Sequence, residues 1–309
     1  MVTEPSKKAV NAGNTRPNPS GASGLLLPAR EAQLGEGMLV RRLLPHRQQR
    51  LIGAWCFFDH AGPADVNQGR GMRVGPHPHT GLQTFSWMIE GEILHRDSLG
   101  YEQLLLPGQV NLMTAGKGIS HSEESPEQRS PTLQLAQFWI ALPESHRFKV
   151  PAFEHYPDLP RIEKNNAVIT VLVGTVFDEV SPVEVYSPLV GVDIQTRGES
   201  CLSLPLTAEF EYGIAVLTGS AQVNGESIYP GQLLYLGQDR TQILLETTEA
   251  SQLVLIGGEP FAEEIMMYWN FVARNKDEVL EFIRLWHDTD HFGVVEGYDG
   301  LSIPSPELK

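Results

Sequence analysis

Side chains two positions apart on an extended chain project from the same face, and two pairs of metal-ligating type at that spacing stand out in this sequence. His77-Pro-His79 offers two imidazoles, and His121-Ser-Glu123 an imidazole and a carboxylate. The same parity puts Glu123, not Glu124, beside His121. Three imidazoles and one carboxylate from two strands can surround a divalent ion and leave positions open for water, dioxygen or substrate. The donor set suits Fe, Mn, Co, Ni, Cu or Zn, and affinity order alone favours Cu(II). A His-x-His pair also arises by chance, and a single histidine is commonly a solvated surface residue, so the setting has to decide. Gly71 stands six residues before His77, Gly91 closes the next apolar segment, and Gly116 and Gly118 precede His121. Glycine in such places suits tight turns that aim a strand inward.

The elements that must position these residues read as short strands. Apolar segments at 82–89, 103–106, 110–113, 133–142, 167–173 and 212–218 are bounded by Gly, Pro, Asn or Asp, the pattern of a sandwich or barrel. One helix is expected late, where Val279, Phe282, Ile283 and Trp286 recur at helical spacing. Asn275 serves as its N-cap, Glu278 as its capping-box partner and Gly293 as its stop. A weak internal repeat relates Met88-Ile-Glu-Gly91 to Val216-Leu-Thr-Gly219, and Leu106-Pro-Gly-Gln-Val110 to Tyr229-Pro-Gly-Gln-Leu233. Gly91 and Gly219 are 128 positions apart, Pro107 and Pro230 are 123 apart, and the second copy brings no imidazole. Shifting His77, His79 and His121 by these offsets reaches Pro205, Thr207 and Leu244, although Glu246 falls opposite Glu123. Chemistry is therefore expected in the first copy alone.

Four further features have competing readings. His95 and Asp97 either orient a metal ligand or lie on a solvated strand face. Gln137 and Trp139 share one face of a strand, and core packing is the preferred role for Trp139. His287 and His291 are i, i+4 but next to Asp288 and Asp290, which favours a polar helix end over a metal site. Cys56, in Ala-Trp-Cys-Phe-Phe, reads as a buried apolar residue.

The 309 residues fit two domains, and 38 acidic against 23 basic residues leave a net charge of −15. That balance disfavours attraction to nucleic acid or anionic lipid. Two cysteines far apart, Cys56 and Cys201, exclude a disulfide scaffold and a thiolate zinc site, so a cytoplasmic protein is expected. No apolar run is long enough for a membrane span. Residues 1–23, rich in Asn, Gly, Ser and Pro, are expected to form a disordered tail. Nucleophile elbows, phosphate loops and dinucleotide fingerprints are absent from the sequence.

Gly71-x5-His77-x-His79 followed by Gly91 resembles the first cupin motif, and Gly118-x2-His121 resembles the end of the second. The stretches His77-Pro-His79-Thr-Gly81-Leu-Gln-Thr84, His95-Arg-Asp97 and Met113-Thr-Ala-Gly-Lys-Gly-Ile-Ser-His121-Ser-Glu123 resemble pirins specifically. Gly257-Gly-Glu-Pro260 and Trp269-Asn-Phe-Val272 are similar to bacterial pirins, so the likeness runs from about residue 25 to 295. Where ordinary cupins carry a Glu after the second His, this chain has Gln83 and Thr84; pirins likewise take the carboxylate from the second motif, here Glu123.

The resemblance implies an all-β bicupin: two antiparallel β-barrel (jelly-roll) domains packed face to face, with a short C-terminal helix. The expected domains are a metal-binding barrel over 24–155 and a metal-free barrel with the helix over 156–309. It implies one mononuclear Fe(II) held by His77, His79, His121 and Glu123. The implied activity is of the quercetin 2,3-dioxygenase type, acting on an aromatic enol and O2, with Glu123 also the catalytic base. The alternative is a non-catalytic redox sensor acting through protein partners. A monomer is expected.

Overall fold

The computed structural model describes residues 24–35 and 37–308, and the expected tail over 1–23 lies outside the described residues. Strands of the first half are β1 (Leu25–Pro28), β2 (Arg30–Leu34), β3 (Met38–Leu44), β4 (Trp55–Asp65), β5 (Arg73–His79), β6 (Leu82–Glu90), β7 (Ile93–Asp97), β8 (Glu102–Leu105), β9 (Val110–Thr114), β10 (Ile119–Glu124), β11 (Thr132–Ala141) and β12 (Ala152–Tyr156). The second half has β13 (Arg161–Lys164), β14 (Ala167–Val173), β15 (Thr175–Val176), β16 (Glu179–Val180), β17 (Leu189–Pro205), β18 (Glu211–Thr218), β19 (Ala221–Val223), β20 (Glu226–Ile228), β21 (Gln232–Gly237) and β22 (Gln242–Gly258). A hairpin of β23 (Met266–Tyr268) and β24 (Phe271–Ala273) then leads into helix α1 (Lys276–Asp288).

A four-stranded sheet in the order β5-β10-β7-β8 faces a seven-stranded sheet, β12-β9-β6-β11-β4-β3-β2. The second half forms a nine-stranded sheet, β1-β21-β18-β22-β17-β14-β13, with β19 and β20 attached through β22. Each half is a jelly roll whose sheets keep open edges and do not close into a barrel. The two jelly rolls pack face to face through the middle sheet. Phe58, Phe85, Trp87 and Phe138 on its outer side share a core with Leu172, Tyr235, Val254 and Ile256. The indole nitrogens of Trp55 and Trp87 donate across this boundary to Gly257 O and Asp193 Oδ1, both at 3.1 Å.

With both faces of the middle sheet covered, alternation decides which side chains look into the first jelly roll. Thr84, Gln137, Trp139, Phe57 and Asp59 do, while their neighbours Phe85, Phe138 and Phe58 face the second.

The internal repeat is structural. β6 pairs with β9, and β18 with β21. In both copies a Pro-Gly turn precedes the second strand, and its Gln side chain closes the turn in the same way. Leu106 N donates to Gln109 Oε1 and Tyr229 N to Gln232 Oε1, each at 3.0 Å.

The division expected at 155/156 is crossed by both ends of the chain. β1 adds to the second sheet by pairing with β21. The segment after residue 260, expected to belong to the second domain, covers the first: Val272 N donates to Thr80 O at 3.0 Å and Ser120 N to Phe292 O at 3.1 Å. Helix α1 packs on β24 through Val279 and Phe282 against Phe271 and Phe292. Asn275 caps it by accepting from Glu278 N, but the Glu278 carboxylate accepts from Arg274 N, one residue before the expected partner. The helix stops at Asp288, before Gly293. Among the described residues no helix is long and apolar enough to cross a membrane.

Candidate metal centre

β5 and β10 run antiparallel with His77 opposite His121 and His79 opposite Ile119. On its other side β10 faces β7, with His121 opposite Asp97 and Glu123 opposite His95. One face of the small sheet thus gathers the side chains of His77, His79, His121, Glu123, His95 and Asp97, all buried. The register of β5 against β10 slips between His121 and Glu123, which meets Val74. The slip falls at Gly75-Pro76, and proline, lacking an N–H, suits a break in the ladder.

Backbone carbonyls set the ring nitrogens. His77 Nδ1 lies 2.8 Å from Gly75 O and His79 Nδ1 lies 3.0 Å from Asn270 O. A carbonyl only accepts, so both Nδ1 atoms carry the proton and both Nε2 atoms are left as bare lone pairs. His79 Nε2 is 3.1 Å from His121 Nε2, and the ligand atoms of His77, His79 and His121 all fall within 4.8 Å of one another. Two imidazole nitrogens bound side by side on an octahedral ion at about 2.1 Å would be about 3.0 Å apart, so the donor set fits one metal ion. Burial pushes the His77 pKa down to about 4, and burial together with neighbouring imidazoles holds His79 and His121 well below 6.5. All three rings are therefore neutral near pH 7, as a metal ligand must be.

Glu123 groups with His95 and His121 within the same 4.8 Å limit. Burial raises its pKa, opposed by His95 and by a hydrogen bond from Ser86. Ser86 Oγ lies 3.3 Å from Glu123 Oε1 and 2.7 Å from Gln137 Oε1. His77, His79, His121, Glu123 and Gln137 open onto a cavity of about 520 Å³, a volume typical of small-molecule sites. One wall is Phe57 stacked on Trp139, with centroids 4.1 Å apart, and Trp139 also sets its edge on His79. Arg42 forks onto Asp59 with two 2.7 Å hydrogen bonds and lies over Phe57. Met267, Trp269, Asn270 and Ile303 from the C-terminal segment complete the mouth.

A family model described as Pirin matches residues 37–140, and a second, described as the Pirin C-terminal cupin domain, matches 191–293. A Pseudomonas aeruginosa protein named "Putative quercetin 2,3-dioxygenase" is 48% identical over 282 residues, covering 91% of this chain and 89% of its own. The chain belongs to the pirin family. A pirin-like protein of Caulobacter vibrioides is 34% identical over 298 residues, covering 92% of this pirin and 99% of its own length. The crystal structure of quercetin 2,3-dioxygenase from Acinetobacter baumannii matches with a TM-score of 0.90 at 47% identity, over 92% of this chain and 95% of that one.

The second jelly roll of this pirin is filled by aliphatic side chains such as Ile169, Val192, Leu202 and Leu255. Pro205, Thr207 and Leu244 are exposed there, and Glu246 lines an open cleft of about 810 Å³ that contains no imidazole. Gln83, in place of the usual cupin Glu, donates to Thr114 Oγ1 at 3.0 Å, and Thr84 lines the cavity. Trp139 is both buried and part of the cavity wall, so the core reading covers half its role. His95 and Asp97 face inward, not solvent. His287 and His291 sit apart from the centre, beside Ser305 Oγ and Lys117 O. Cys56 is buried, with its thiol pushed up to about 12.

Residue spacing does not single out Phe57, Asp59, Arg42, Ser86 or Trp269. Asp59 carries a signal, a lone acid inside the apolar run Ala54–Phe58 and Ala61. Trp269 stands in the stretch similar to bacterial pirins, but only the return of the chain across the first domain brings it to the cavity.

Proposed function

We propose that this pirin is a metal-dependent dioxygenase of the quercetin 2,3-dioxygenase type, taking a flavonol or similar aromatic enol and O2. One observation carries the reading: the buried imidazole cluster opens onto a 520 Å³ cavity walled by Phe57, Trp139 and Trp269. A redox sensor needs no such chamber beside its metal. The Pseudomonas relative named for this activity and the Acinetobacter quercetin 2,3-dioxygenase, 47% identical in sequence, support the same chemistry. His77, His79, His121 and Glu123 would hold the ion, which we take to be Fe(II). Bound there, it would supply Lewis-acid polarisation of the enol oxygen and redox chemistry towards O2.

The chain's own residues supply the rest. Neutral imidazoles present lone pairs without a proton to displace. Glu123 receives the enol proton from a hydroxyl that the ion would already have acidified, and its Oε1 lies 3.3 Å from Ser86 Oγ. The Phe57–Trp139 stack offers a flat wall for an aromatic ring, with centroids 4.1 Å apart.

The test is anaerobic loading with Fe(II), addition of a flavonol and O2, and measurement of flavonol absorbance and carbon monoxide. Metal-dependent decay that His121→Ala abolishes, with the circular dichroism spectrum unchanged, is expected. Stoichiometric iron without turnover would overturn the enzyme reading in favour of a redox sensor acting through protein partners.

A further inference from the structure

Beyond the ligand set, a second buried pair lies behind His121. His121 Nδ1 is 3.4 Å from His95 Nδ1, and His95 Nε2 is 3.1 Å from Asp97 Oδ2. The other Asp97 oxygen, Oδ1, accepts from Leu99 N at 2.9 Å and Tyr101 N at 3.1 Å. His95 is also stacked on Phe153, with centroids 4.3 Å apart and planes 15° from parallel, which holds the plane of its ring. His95 and Asp97 are each 2% exposed and so are shielded from bulk water.

These contacts fix a sequence of protons. Two backbone N–H groups hold Asp97 as an acceptor, and its second oxygen therefore takes the His95 Nε2 proton. His95 Nδ1 is then a bare acceptor for the His121 Nδ1 proton. That leaves His121 Nε2, the atom beside His79, as a lone pair. We propose that Asp97 and His95 are positioning residues that set the tautomer of His121 and so decide whether it can ligate. The inference rests on the reading of His77, His79 and His121 as a metal site.

The pair makes a counterintuitive prediction. In Asp97→Asn the amide oxygen stays with the two backbone N–H groups, so the NH2 faces His95 Nε2 and donates to it. His95 must then carry its proton on Nδ1, which forces the His121 proton onto Nε2, at the ligating position. The near-isosteric Asn should harm metal binding more than Asp97→Ala, which imposes no tautomer. A role in packing alone predicts the reverse order.

The experiment titrates the metal-stripped protein with Co(II) against a chromogenic chelator, following the visible Co(II) bands, with thermal unfolding as the check on fold. Wild type is expected to bind one Co(II). Asp97→Asn should bind about tenfold or more weakly, below Asp97→Ala. Wild-type binding with Asp97→Asn unchanged, or with Ala the weaker variant, overturns the relay alone. Failure of wild type to bind Co(II) overturns the metal reading and the relay with it. Should Asp97→Asn not fold, long-range ¹⁵N–¹H spectra of the zinc-loaded wild type decide. A proton on His95 Nε2 supports the relay, and one on Nδ1 overturns it.

Discussion

At His79 the two ring nitrogens have different partners: Nδ1 is held 3.0 Å from Asn270 O, and Nε2 is turned towards His121 Nε2 at 3.1 Å. The same division operates at His77, whose buried ring has its pKa pushed down to about 4 from 6.5. Between those pH values the unfolded chain takes up a proton that the folded chain refuses, so this histidine costs the metal-free protein stability as pH falls from 6.5 to about 4. Replacing it with Gln removes that cost. In metal-stripped protein, the melting temperature of His77→Gln relative to wild type should rise as pH is lowered from 7.5 to 5. A difference constant across that window contradicts a neutral buried ring. Glu123→Gln keeps the cavity's shape but cannot take a proton. With metal saturating, it should lower kcat on a flavonol by about a hundredfold or more and leave KM nearly unchanged.

Among the elements, the β23–β24 hairpin does for the centre what the two sheets cannot. It supplies the carbonyl that orients His79 and the Trp269 ring at the cavity mouth. Its approach depends on Gly81, two residues after His79. That residue has φ +69°, and a Cβ on it would stand 2.1 Å from Val272 O. Gly81→Ala should cost about 1–3 kcal/mol by chemical denaturation, because both the left-handed backbone and the close carbonyl oppose it. Displacing the hairpin also frees the His79 ring, so metal affinity should fall in the same variant while the fold persists. An unchanged affinity would separate the hairpin from the metal centre.

At the scale of the whole molecule, the two jelly rolls share one core, and a buried acid lies within their contact. Asp193 accepts from Trp87 Nε1 at 3.1 Å and from the side-chain amide of Gln252, and burial pushes its pKa up to about 7 from 3.8. The folded state holds this proton more tightly than the unfolded chain, so its contribution to stability is full below pH 3.8 and lost as pH rises through 7. Asp193→Asn should therefore melt a few degrees above wild type at pH 8, and the gain should shrink by pH 5 and vanish below pH 3.8. Equal melting temperatures at both pH values would show that the carboxyl is not desolvated in the domain contact.

The gathering of His77, His79, His121 and Glu123 was legible because a strand alternates with period two, so His-x-His and His-x-Glu place their side chains on one face whatever the rest of the chain does. The duplication was legible for a related reason: Pro-Gly turns and a Gln that closes them are local devices, and both copies keep them. The α1 cap at Asn275 is equally local. Partners that lie far along the chain left no trace in the residues themselves. Asn270 O is 191 positions from the His79 ring it orients, and Trp87 meets Asp193 across 106 positions. The exchange of β1 into the second sheet and of the C-terminal hairpin onto the first also escaped the sequence, since an apolar strand carries no label for the sheet it joins. Residue types and spacing thus determined which groups can bind a metal and that two similar jelly rolls exist. Only the tertiary structure decided ring tautomers, cavity walls and the inward turn of His95 and Asp97, because those depend on which carbonyls, carboxylates and rings are brought within about 3 Å of each group.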